Sequence, residues 1–219
     1  MKKMKKRFRN TTQQMTLAIH LKQHSSMYLF VTILFLMGIV FGAIVVNSLS
    51  FSQKEDLFYY LNQFFGQVGN YDSSTGREMF FQSLWHHLKM IFIITILGVS
   101  IIGVPIILVI LFIKGVVIGF TVGFLVYKMS WDGFLLSFVS VLPQNLIIVP
   151  VLIMMAVMAI TLSFKLVKRQ FVHLHQPVAP MFSSYLLTFV AAICLLVGAA
   201  ATEAFVSSFF MESVVGSIL

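Results

Sequence analysis

The side chains able to do chemistry are few and scattered. His86 and His87 are adjacent, so on a helix they point roughly 100° apart and make a poor chelate. His173 and His175 would point the same way in an extended segment, but no carboxylate or cysteine stands near them to complete a metal site. Cys194 is the sole cysteine, which excludes an intramolecular disulfide and a cysteine-based metal centre; in its apolar run it reads as packing. There is no H-E-x-x-H, no G-x-S-x-G and no phosphate-binding glycine loop. A nucleophile or metal held by positioned neighbours is not evident, and the expectation is a protein that is not an enzyme, with no cofactor.

Polar residues inside long apolar runs are the stronger candidates. Gln144 and Asn145 stand between Pro143 and Pro150, and Glu203 follows Ala199, Ala200 and Ala201 at the end of the last run. An ionisable group near a membrane span is costly unless paired or solvated, and so counts as a functional hypothesis. For Glu203 three readings stay open: a structural hydrogen bond, a partner contact, or passage of an ion or substrate. For the two amides the plainest role is to satisfy backbone groups freed by the prolines.

These residues must be positioned by a membrane bundle. The 219-residue chain is 59% hydrophobic and only 10% charged, with a mean hydropathy of +0.97. Its fifteen basic and seven acidic side chains are too few to clothe a soluble domain of this size, which typically carries about 25% charge. The net charge of +8 does not point to nucleic acid. Lys2, Lys3, Lys5, Lys6, Arg7, Arg9 and Lys22 all precede the first apolar run with no acid among them. That is the cytoplasmic flank of a span, also suited to anionic lipid headgroups.

The fold class expected is all-α: a polytopic helical membrane protein with about five transmembrane helices, a re-entrant or interfacial half-helix and an extracytoplasmic amphipathic helical hairpin. After a basic arm over residues 1–26, the first span covers 27–48 with Gly38 and Gly42 in G-x-x-x-G spacing, suited to close helix approach. Residues 50–88 form the hairpin. Ser52 and Glu55 have capping-box spacing, Leu57, Phe58, Leu61, Phe64 and Phe65 share one helical face, and Gly66 is placed to end the helix. A second amphipathic run carries Phe80, Phe81, Leu84 and Trp85, with Trp85, His86 and His87 in an interfacial belt before the next span.

That second span is expected over 90–113, with Pro105 kinking it and Lys114-Gly115 as the following turn. Gly115, Gly119 and Gly123 form a small-residue stripe in a third span, 115–129. A half-helix over 133–142, broken at Pro143, precedes a fourth span over 146–166 that ends in Lys165, Lys168 and Arg169. A fifth span covers 181–201, leaving 202–219 as an extracytoplasmic segment. Basic clusters on one side at both places require an even number of crossings between them, which four spans satisfy.

Four stretches, Glu55–Gln67 (EDLFYYLNQFFGQ), Lys114–Leu125 (KGVVIGFTVGFL), Phe138–Pro150 (FVSVLPQNLIIVP) and Ala200–Phe205 (AATEAF), occur in order over most of the chain. Together they resemble the stage II sporulation protein M family of endospore-forming Firmicutes. The resemblance implies a multi-pass protein of the mother-cell membrane, held at the sporulation septum by a localisation factor. It implies stage II sporulation proteins P and D, which degrade septal peptidoglycan during engulfment, as partners that own the chemistry. The expected function is thus a non-catalytic scaffold, with the aromatic faces of the hairpin receiving the partners and homo-oligomerisation left open. The alternative is a transporter or permease subunit with a polar path through the broken helix near Pro143.

Overall fold

In a computed structural model the described residues are 24–68, 73–100, 102–172 and 179–202. The basic arm, the hairpin tip at 69–72, His173, His175, Glu203 and the segment 203–219 lie outside them. The helices are α1 (Ser25–Ser48), α2 (Phe51–Val68), α3 (Ser73–Leu97), α4 (Gly103–Val172) and α5 (Ala179–Ala201), and the described residues include no strand. Three are long and apolar enough to cross a membrane, over Ser25–Ser48, Phe80–Leu97 and Gly103–Val167; Tyr185–Ala201 is a shorter apolar helix.

The helix over 103–172 is two rods. Ser130 sits at φ 51°, ψ −118°, a region that is essentially restricted to glycine, and there the chain folds back. The arms 103–129 and 131–172 would each rise about 40 Å or more at 1.5 Å per residue. Gly133 permits the reversal, because a Cβ there would collide with the carbonyl oxygen of Leu125.

The second reversal differs from the expected turn at Lys114-Gly115. α3 ends at Leu97 and a short turn leads into α4 at Gly103, with Gly103 N–H donating to Ser100 O (3.1 Å). A Cβ on Gly103 would strike Leu97 O, so the turn needs glycine. Pro105 therefore does not kink a span over 90–113. It lies in the first turn of α4, where the backbone N–H has no helical acceptor and its loss costs little. The stretch 115–129 is the upper part of a longer arm, and Lys114 is mid-helix.

The segment 131–172 also differs from the expected half-helix and separate span. No separate half-helix over 133–142 forms, and the helix continues through Pro143 and Pro150. Each proline removes one helical hydrogen bond, at Val139 O and Leu146 O; the rod stays continuous with one face, Ile148, Val151, Leu152 and Met155, packed in the core. A capping box does start α2, but two residues earlier than Ser52 and Glu55: Ser50 N–H donates to Gln53 Oε1 (3.0 Å) and Gln53 N–H to Ser50 Oγ (3.3 Å). α2 runs past Gly66 to Val68. Cys194, expected as packing, is exposed on α5.

α1 lies along the first arm of α4 in parallel. A Cβ at Gly38, Gly42, Gly115 or Gly119 would collide with the carbonyl oxygen of Phe112, Val116, Phe35 or Ile39 respectively, and Gly123 faces Ala43. The backbones thus meet directly, a contact that stands in for the hydrophobic drive absent between helices in lipid. The core holds Val31 of α1, Ile91 and Ile94 of α3, Ile107, Leu111, Ile148, Leu152 and Met155 of α4, and Leu196 of α5. Tyr185 O–H donates to Thr95 O (3.2 Å) and Ser163 O–H to Ser100 O (3.1 Å), gathering the turn end of the bundle.

Candidate partner-binding surface

At the opposite end, beside Ser130, a group of charges and aromatic rings ties α2 to the first arm of α4. Lys128 pairs with Glu55 and lies 4.4 Å from the centre of the Phe58 ring. Lys54 is 4.0 Å from the centre of the Tyr127 ring and is only 8% exposed. A cation over an aromatic face gains most where it is partly desolvated, and here two lysines clamp the first two turns of α2. This latch was not foreseen. Its only trace in the sequence is the i, i+1 pairing of Lys54-Glu55 with Tyr127-Lys128, which spacing alone cannot match.

The latch decides which aromatic side chains are open. Leu57, Phe58 and Leu61 are half-buried, Phe58 under Lys128. Tyr59 and Tyr60 are 68% and 66% exposed, their rings edge to face at 6.0 Å. They form an outward ridge that periodicity did not single out. Phe64 and Phe65 belong to the helix, but their side chains lie outside the described set.

On α3, Phe80 and Leu84 are half-buried, whereas Phe81 and Trp85 point outward. Arg77 lies 5.9 Å from the Phe81 ring and Lys89 5.8 Å from the Trp85 ring. A third aromatic group, Trp131, Phe134 and Phe138, runs down the second arm from the reversal, with centroids 5.4 and 6.3 Å apart.

The amides of the second arm are embedded rather than displayed. Asn145 Nδ2 donates to Val141 O (2.7 Å), a carbonyl that neither proline releases, and the side-chain oxygens of Gln144 and Asn145 are buried with no donor. Beside Asn145 lies a groove of ≈ 370 Å³ between α1 and both arms, walled by Phe35, Ile39, Ile118, Phe138 and Pro150, with Ser137 and Asn145 as its polar side chains. At the turn end, His24 has a pKa below the ordinary histidine value, through burial first and the nearby Lys165 charge second. Among the described residues no group of three His, Cys, Asp or Glu could hold a metal ion.

The fold and these surfaces define a class, a multi-helix membrane protein whose outer helix is latched to a close-packed bundle. Within it, the model of the family "Stage II sporulation protein M" matches residues 31–208, and the chain belongs to that family. It is therefore a sporulation-related membrane protein. Comparisons with curated proteins and with solved structures return no match.

Proposed function

We propose that this chain is a non-catalytic scaffold that holds peptidoglycan hydrolases, stage II sporulation proteins D and P, at the sporulation septum for wall degradation and engulfment. The observation that carries this is the state of α2: it is fastened by its first two turns and offers an open tyrosine ridge beyond them. Such a surface binds a partner without spending a bundle contact. This reading counts the long α4 as two rods and keeps the basic arm at the anionic headgroups of the cytoplasmic face, so that α2, one crossing later, lies on the wall side.

The test is recovery of the two hydrolases with the tagged full-length chain from sporulating cells. Tyr59→Asp together with Tyr60→Asp should cut recovery by about tenfold, in line with a buried aromatic anchor, at unchanged membrane content. Undiminished recovery would place the docking surface elsewhere. A transport role past Gln144 and Asn145 is disfavoured by the apolar walls of the adjoining groove.

A further inference from the structure

The relocation of the second reversal from Lys114-Gly115 to residues 98–102 changes the depth of everything on α3. Lys89 lies eight residues from Leu97, roughly 12 Å up the rod at 1.5 Å per residue. The turn itself is open, with Val99 50% and Ile102 75% exposed, and it lies level with Ser163, two residues short of the exposed Lys165. Around the bundle the outward side chains at comparable height are Leu36 and Met37 on α1, Ile113 on α4 and Val190 on α5. On α4 the half-buried Lys114 follows Ile113, and α3 sets a whole strip of polar groups into this belt. Gln82, Trp85, His86 and Lys89 recur at i, i+3, i+4 and i+7, and all four are exposed.

We propose that this strip is an intramembrane docking site for a transmembrane helix of another protein that carries a carboxylate near mid-depth. A lysine on the lipid-facing side of a span is costly unless it snorkels or is paired. Snorkelling to the nearer boundary is opposed by geometry. Helical side chains lean toward the helix N-terminus, which in α3 is away from the turn. The Lys89 ammonium follows that lean and rests near the Trp85 ring, one turn up. The carboxylate must come from outside the chain, because the sequence holds no acid between Glu78 and Asp132 or between Asp132 and Glu203. A second copy would bring its own lysine to the seam and no acid at that depth. The strip rests on depth and charge alone, and stands whether or not the partner is a wall hydrolase.

The test places a photo-crosslinking residue at Ile93, exposed one turn from Lys89, in the full chain in membranes of sporulating cells. The expected product is an adduct mapped to a membrane-spanning segment of another protein within a turn or two of an Asp or Glu. Its yield should fall by about tenfold or more in Lys89→Met, as removal of one partner from a buried ion pair predicts, and return in Lys89→Arg. Adducts to lipid only, to a second copy only, or with a yield indifferent to Lys89→Met would overturn the proposal. Should Lys89→Met not accumulate, the mapped position of the wild-type adduct decides by itself: a segment without a carboxylate at that depth overturns it.

Discussion

The seam between α1 and the first arm of α4 and the junction between α2 and the same arm are built from opposite materials. Along the seam, glycines let carbonyl oxygens of one helix sit where the other would carry Cβ atoms. At the junction, two lysines, a glutamate and two rings hold α2 across long side chains. The first contact is short-ranged and tolerates no added atom. The second is electrostatic and adjustable, with Lys128 and Glu55 side chains 23% and 46% exposed. The first contact belongs to the bundle itself, and the second fastens a helix to its outside.

The sharpest way to break that contrast is at Gly119. Gly119→Leu sets a side chain against the backbone of Ile39, which cannot rotate away. The expected loss is about 3 kcal/mol or more, read as a fall in the thermal midpoint of the detergent-solubilised protein and in membrane content. A tolerated Gly119→Leu would mean that the helices do not meet at this seam. A smaller effect of opposite sign is expected at the reversal. Ser130→Gly relieves a side chain at φ 51° and should stabilise the protein by about 1 kcal/mol, measured by the same unfolding midpoint.

The smallest effect belongs to the latch. A double-mutant cycle of Lys128→Met and Glu55→Gln should give a coupling of about 0.5 kcal/mol, typical of a pair this exposed, and lose it at high salt. The informative readout is local: protease cleavage within α2 should speed up while the bundle's midpoint barely moves. If the midpoint drops as far as it does for Gly119→Leu, the two regions are not separable.

Much of the bundle was legible in the chain, for reasons that differ by element. Gly38, Gly42, Gly115, Gly119 and Gly123 mark close approach because helical spacing puts them on one face of each rod, and a missing Cβ is visible in the sequence. The place where α3 turns into α4 was not legible. Pro105 and Gly103 suit a helix interior with a kink as well as a helix start, and hydropathy does not change across 98–102. The continuity of 131–172 was misread for a related cause. Two prolines and two amides look like a break, yet a helix with one face packed in the core survives the loss of two hydrogen bonds. For the partner surface, periodicity grouped Leu57, Phe58 and Leu61, and only the latch turned that face inward and left Tyr59 and Tyr60 outside.

By itself the sequence determined that this is an all-helical membrane protein of the stage II sporulation protein M family. Scarcity of charge, length of apolar runs and local motifs are properties of composition and spacing. The tertiary structure alone decided the depth of each residue along its rod, because depth depends on where the chain reverses. That reversal is set by one steric fit at Gly103 and one unusual backbone conformation at Ser130, with no signature in hydropathy. Moving the turn from 114–115 to 98–102 took Lys89 from just before an expected span at 90–113 to the middle of the apolar stretch Phe80–Leu97.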